Sequence, residues 1–343
     1  MKNLFYASFV PGMQEIVARV VRERLEDVSV LKLLDGAILF ETGCSYDRLN
    51  FFCFNNIFAV ISIFEKINVI EKPETLIKNI ESILAKPDAE AVISENNKKI
   101  ITFRLASSRE NKPVSINEKA RQDIENFISR HSGLKVDHRK PDTEFWLLYR
   151  REGFSLFAKR LTRSVEKKLR PGELAPQLAW LLCRLAELKS GETALDPFCG
   201  YGSIPEAALK HFPIQKFYAS DAEERCIKIT RSRPGLKSER CEIRAADVAA
   251  AANFSPAEGF DAIVTDPPWG MYRETQIPLE KFYEETLALF SKILKKGGRA
   301  IILTAARAEL ENAAAKTRCL SIAETIPILV SGKKATVYKI FNH

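Results

Sequence analysis

Apolar and polar positions follow two different rhythms along this chain. Over residues 1–160, short apolar runs that suit strands surround stretches with helical spacing. LFYASFV and GAILFET read as strands around the helix MQEIVARVVRERLED. The apolar run Phe51–Phe64 comes next, then the helix TLIKNIESILAK, the strand KIITFRLAS and the helix INEKARQDIENFISRHSG. EFWLLYRR and FSLFAKRL close the region as strands. Short strands gathered around helices predict an α+β region of ferredoxin-like character. TRSVEKKLRPGE, ending in Pro171-Gly172, reads as a linker.

From Leu174 the order becomes regular. A helix, APQLAWLLCRLAELK, precedes the strand ETALDP, the helix IPEAALKH and the strand KFYASD. EERCIKITRSR, CEIRAAD, FDAIVTD, the helix KFYEETLALFSKILKK and the strand GGRAIILTA continue the alternation. Strands separated by helices predict a parallel sheet with right-handed crossovers. TIPILVSGKKATVYKIFN reads as a terminal hairpin turning at Ser331-Gly332-Lys333, so the last strand is expected to be antiparallel. In such sheets ligands bind beyond the carboxyl ends of the strands. Asp196, Asp221, Asp247 and Asp266 all stand at or just after an expected strand end.

Two strings carry the chemistry. DPFCGYGS, Asp196–Ser203, is a glycine loop leaving a strand, where missing Cβ atoms let backbone approach a ligand closely. It lacks the third glycine of the dinucleotide fingerprint. DPPWG, Asp266–Gly270, sets a carboxylate, two rigid prolines and an aromatic at a strand end. A carboxylate and carbonyls beside a flat ring suit an exocyclic amine on a planar base. Each aspartate could instead cap a turn or helix, and Trp269 could be a core aromatic. Cys199 reads as a packing residue rather than a nucleophile, since DPPWG has no cysteine beside the base.

Composition narrows the setting. At 343 residues, 46% hydrophobic and 28% charged, the chain suits a globular protein of two domains. No apolar stretch approaches a membrane span, and the opening residues lack a signal-peptide pattern, so a cytoplasmic location and no membrane partner are expected. Seven scattered cysteines without a CxxC pair, and four histidines without paired spacing, argue against a disulfide framework and a metal site. The net charge is +8. Arg150, Arg151, Lys159, Arg160, Arg163, Lys167, Lys168 and Arg170 cluster against Glu152 and Glu166 alone, a pattern that suits phosphate contacts or a solvated linker.

These motifs resemble the THUMP-domain RNA guanine-N2-methyltransferases, closest in layout to those acting on tRNA. FYASFVPGMQEIVARVVRERL is similar to the family's opening strand, "PG" turn and helix, and GAILFET to its next strand. The block from ITFRLASSRE to FAKRL is similar to the end of a THUMP domain. RPGELAPQLAWLLCRLA resembles the helix before the catalytic domain, whose motifs are DPFCGYGS and DPPWG. The resemblance implies a ferredoxin-like region at 1–65, a THUMP domain at 66–161 and a linker at 162–176. It implies a Rossmann-like methyltransferase domain with an antiparallel last strand at 177–343.

It also implies S-adenosylmethionine as cofactor and structured RNA as partner, with tRNA the expected substrate and rRNA the alternative. The chain is expected to act as a monomer. Asp196, Cys199, Gly200 and Gly202 would lie beneath the methionine portion. Asp221 would accept the ribose hydroxyls, with Ala222 against the adenine. Asp247 and the Val248 backbone would read the adenine edge. Asp266 and the Pro267 carbonyl would accept from the guanine amine, with Trp269 stacked on the extruded base. The basic cluster would meet RNA phosphates. The chain departs from the family at Tyr201, where Ser or Thr is usual, at Trp269, where Tyr is usual, and at Glu206, one residue early. Glu206 therefore receives no role. Other readings are a 23S rRNA guanine methyltransferase, an adenine-N6 methyltransferase, or a non-catalytic RNA-binding protein.

Overall fold

The computed structural model describes residues 2–49, 51–87, 92–93, 101–162, 169–270 and 277–343. The chain forms two compact units. One comprises Met1–Phe9 and Val17–Val165, the other Val10–Ile16 and Glu166–His343.

The first unit holds the strands β1 (Asn3–Ser8), β2 (Ser29–Leu34), β3 (Ala37–Thr42) and β4 (Asn56–Glu65). The helix α1 (Gln14–Arg24) joins β1 to β2. The order β4-β1-β3-β2, all antiparallel, is that of a β-α-β-β-α-β unit. Its second helix is reduced to the 3-10 turn Tyr46–Leu49. β5 (Thr102–Arg109), β6 (Lys112–Pro113), β7 (Lys135–Val136), β8 (Thr143–Arg150) and β9 (Phe154–Arg160) follow, with α2 (Glu74–Leu84) and α3 (Glu118–Ser132). The start of α3 is set by Asn117, whose side chain accepts from the Ala120 amide, and its end by Gly133 in the left-handed region.

A boundary between residues 65 and 66 does not separate two cores. β4 pairs antiparallel with β9, so the strands on either side of that position belong to one sheet. Tyr6, Leu39 and Phe58 share a buried cluster with Leu148, Phe154 and Leu156. The sequence pattern missed this because β4 and β9 are far apart in the chain, and pairing register is invisible to local periodicity.

The second unit is a doubly wound sheet. Its elements are α4 (Pro176–Leu185), β10 (Thr193–Asp196), α5 (Ser203–His211), β11 (Lys216–Asp221), α6 (Glu224–Ser232), β12 (Cys241–Ala245) and β13 (Phe260–Thr265). α7 (Leu279–Ile293), β14 (Leu294–Thr304), α8 (Arg307–Lys316), β15 (Leu320–Val330) and β16 (Lys333–Asn342) complete it. The strand order is β12-β11-β10-β13-β14-β16-β15, parallel through β14. β16 runs antiparallel to β14, as the terminal hairpin predicts. Its two-residue turn has Ser331 at φ 51° and Gly332 at φ 81°, the primed geometry that matches strand twist. α8 carries no strong apolar stripe and was not foreseen.

The chain moves outward from β10 through β11 to β12, then returns to the other side of β10 with β13. That reversal opens a crevice between the loops after β10 and β13, the site at which such sheets bind ligands. The apolar residues Leu195, Ile263, Phe260 and Ile302, from β10, β13 and β14, share one buried cluster. No helix of the described residues is long and apolar enough to cross a membrane.

Candidate active site

Asp196 is the last residue of β10 and lies fully within the protein, 1% exposed. Its Oδ1 accepts from the Phe198 amide at 3.1 Å and from the Thr265 hydroxyl at 2.6 Å. Oδ2 is buried with no hydrogen-bond partner among the described residues. Burial pushes this carboxyl up to about 8, the Asp221 and Asp266 carboxylates add to the shift, and the two hydrogen bonds oppose it. A buried, unmatched acceptor among like charges suits a cation.

The glycine loop is held from three sides. The Cys199 amide donates to Ser220 O at 2.9 Å, and the Gly200 amide donates to Asp221 Oδ2 at 2.8 Å. The Thr230 hydroxyl, from α6, donates to Gly200 O at 2.8 Å. Gly200 adopts φ +49°, and a Cβ there would meet nothing within 4 Å. It thus leaves open room beside the loop. Gly202 differs: a Cβ there would come within 2.8 Å of Thr230 Cγ2. Close packing against α6 and a φ of +83° both call for glycine there. Cys199 is buried, and burial raises its thiol well above the ordinary value, so the structure gives it a packing place and no thiolate.

The other expected ligand residues occupy the same edge of the sheet. Asp221 ends β11, and its Oδ1 accepts from the Glu223 amide at 2.9 Å. Both of its oxygens therefore already accept one backbone bond, and each retains a second lone pair. Ala222 beside it is exposed. Asp247 caps the 3-10 turn Val248–Phe254, accepting from the Ala249 amide at 2.9 Å. It is exposed and Val248 is half-buried.

Asp266 follows β13 directly. Its Oδ1 accepts from the Trp269 indole N–H at 2.7 Å, and both side chains are half-buried. Trp269 is therefore neither sealed in the core nor held only by stacking; the indole clasps the carboxylate. Pro267 is buried beside them. Gly270, at φ +75°, is exposed and packs over Leu279. Glu206, one residue early for the expected pattern, pairs with Arg233, which also pairs with Glu173. It serves a charge network rather than the crevice.

The basic cluster divides. Arg150 is buried, with its guanidinium on Glu152, Glu110 and the Asp35 carbonyl. Lys159 is buried too, and its ammonium donates to Val92 O at 2.8 Å and Ile93 O at 3.2 Å. Neither can meet a phosphate, which corrects the expectation for both. Arg160 is mostly covered and bonded to the buried Glu144 at 2.9 Å. Arg151 and Arg170 are exposed, Arg170 lying over the Tyr201 ring and pairing with Glu173. Arg163, Lys167 and Lys168 lie outside the described residues. Sequence reasoning also missed Thr265, Thr230 and Tyr283, buried polar residues that fix the two loops. Only the polarity of Thr265 at an apolar strand end hinted at one of them.

A parallel sheet with an antiparallel last strand, an acidic crevice at its switch point and a D-P-P-W loop define a Rossmann-like methyltransferase domain. Residues 163–326 match the family of RMKL-like methyltransferase domains. The chain is 31% identical to a tRNA (guanine(6)-N2)-methyltransferase of Thermus thermophilus, over 62% of this chain and 64% of that one. It is 25% identical to the U6 snRNA (guanine-N(2))-methyltransferase THUMPD2 of Bos taurus, over 63% of this chain and 43% of the relative. The matches thus span 64% and 43% of these relatives' own length. In fold, the whole chain is similar to TrmN from Thermus thermophilus, with a TM-score of 0.78 at 19% identity and all of both chains covered.

Proposed function

We propose that this protein transfers a methyl group from S-adenosylmethionine to the N2 amine of a guanine in structured RNA, with tRNA as the substrate. One observation carries the reading: the Asp266–Trp269 pair stands at the end of β13, beside the buried Asp196 and the open side of Gly200 at the end of β10. The names of the relatives described above agree with it. S-adenosylmethionine supplies a methyl group on a positively charged sulfur.

The residues present fit that cofactor. Asp196 Oδ2, buried and without a hydrogen-bond partner among the described residues, is suited to its ammonium, and Asp221, Ala222, Asp247 and Val248 would hold its ribose and adenine. On the substrate side, guanine N2 is a weak nucleophile because its lone pair is delocalised into the ring. Asp266 and the Pro267 carbonyl would accept its N–H bonds, orient the lone pair and stabilise the charge that develops on nitrogen. The Trp269 indole, by donating to Asp266, fixes the carboxylate rotamer while its ring offers a face to an extruded base. The final proton would leave to Asp266 or to water. In the other unit, Arg151 remains as an exposed cation for RNA phosphates.

Nucleoside analysis of RNA from cells with and without the protein tests the reading. Loss of one N2-methylguanosine at a mapped tRNA position is expected. Loss from ribosomal RNA would move the substrate, and loss of N6-methyladenosine would overturn the proposed base.

A further inference from the structure

We infer that Tyr283 is a positioning residue for the methyl-accepting loop: its hydroxyl holds the Pro268 carbonyl and so fixes Asp266 and Trp269 for reaction. The catalytic part of this inference rests on the function proposed above.

The loop poses a mechanical problem. Pro267 and Pro268 have no N–H, so their backbone can be anchored only through carbonyls. Tyr283, in the second turn of α7, is fully buried, and a buried phenol needs partners for its hydroxyl. Tyr283 Oη donates to Pro268 O at 3.0 Å and lies 2.6 Å from Thr304 Oγ1, at the end of β14. Thr304 Oγ1 in turn accepts from the Ala306 amide at 2.9 Å. An amide can only donate and a carbonyl can only accept, so one proton arrangement satisfies the whole row. Ala306 donates to Thr304, Thr304 to Tyr283, and Tyr283 to Pro268.

Two other residues in the first turns of α7 serve the same end. Leu279, four residues earlier, lies so close under Gly270 that a Cβ there would come within 2.8 Å of it. Phe282 packs its ring 5.6 Å from Phe198 in the glycine loop. The first turns of α7 therefore grip both loops, and Tyr283 supplies the directional bond. With the Pro268 carbonyl drawn toward α7, the preceding Pro267 carbonyl and the Asp266 carboxylate are presented as one fixed pair.

The test uses the full chain labelled with 5-fluorotryptophan. Its three tryptophans, Trp146, Trp180 and Trp269, give three fluorine signals, and Trp269→Phe identifies the third. Tyr283→Phe is expected to shift or broaden the Trp269 signal and leave the other two in place. It is expected to lower kcat by on the order of 10- to 100-fold while S-adenosylmethionine affinity stays unchanged. Thr304→Val keeps the phenol ring and is expected to disturb the same signal less. An unmoved Trp269 signal in both variants, or kcat within about twofold of the original in both, overturns the inference. A shifted Trp269 signal in a protein that methylates no guanine would support the loop anchor and sink the proposed reaction instead.

Discussion

Thr265 Oγ1 donates a 2.6 Å hydrogen bond to Asp196 Oδ1, and this bond ties the carboxyl end of β13 to that of β10. Both residues are buried. The bond is thus a crosspiece between the strand that carries the glycine loop and the strand that carries D-P-P-W. Thr265→Val preserves the shape and leaves the carboxyl with the Phe198 amide alone. Unfolding by denaturant is expected to show a loss of about 1–3 kcal/mol, the cost of an unmatched buried polar group. Cofactor affinity should fall with it. Full affinity in Thr265→Val would mean that the glycine loop holds Asp196 unaided.

The same carboxyl makes the ligand-free protein sensitive to pH. Burial raises Asp196 from 3.8 to about 8, so the folded state holds its proton more tightly than the unfolded chain does. Its stabilising contribution is therefore complete below 3.8 and disappears as pH climbs through about 8. Thermal unfolding should show stability falling across that window, and Asp196→Asn should flatten the fall while removing cofactor binding. A cationic ligand favours the ionised carboxyl, so binding below about 8 should release a proton. Calorimetry in two buffers of different ionisation enthalpy reads that proton directly. Identical heats would mean that Asp196 does not face the ligand's charge.

Asp266 and Trp269 can be separated by graded substitution. Trp269→Phe keeps a ring and removes the N–H that Asp266 accepts. Loss of such a charge-assisted bond, about 1.5–3 kcal/mol, corresponds to roughly 10- to 150-fold in kcat/KM. Trp269→Ala also removes the stacking surface, a further cost of about 1–3 kcal/mol. Asp266→Ala should abolish transfer with cofactor affinity nearly intact. Equal activity of the Phe and Ala variants would deny the ring any contact with the base.

Much of this site was legible because its chemistry is local. D-P-F-C-G-Y-G-S and D-P-P-W-G are short strings at strand ends, and the alternation of elements located those ends. Thr265, Thr230 and Tyr283 were not legible, because each matters only through a partner far along the chain. The misplaced charges have a related cause. Arg150 and Lys159 sit in a run that looks solvated, yet β8 and β9 turn them inward onto Glu152 and onto the Val92 and Ile93 carbonyls. The apolar stem of each side chain packs while its head finds oxygen.

That division predicts two kinds of arginine variant. Charge reversal at Arg151 or Arg170, both exposed, should weaken RNA binding and lower the salt slope by about 0.7–0.9 for each phosphate no longer neutralised. Arg150→Ala should instead lower the unfolding free energy by roughly 3 kcal/mol, because it strips a buried ion network. RNA affinity of its folded fraction should stay near the original. Filter binding across a salt series, beside thermal unfolding, distinguishes the two. A salt slope changed by Arg150→Ala and untouched by Arg151→Glu would reverse the assignment.

The two glycines of the loop should fail in different ways. Both hold positive φ, so alanine at either costs about 1–2 kcal/mol of backbone strain. At Gly200 the new methyl meets nothing, so Gly200→Ala should fold well and chiefly lose cofactor affinity. At Gly202 it would press on Thr230 Cγ2, the methyl of the residue whose hydroxyl holds Gly200 O. Gly202→Ala should therefore add a clash of about 1–3 kcal/mol and loosen the loop as well. Thr230→Ser deletes that methyl and keeps the hydroxyl. It should restore part of the stability of Gly202→Ala and none of the affinity of Gly200→Ala, a non-additivity that denaturation of the single and double variants measures. Strict additivity at Gly202 would show that the loop gives way elsewhere than against α6.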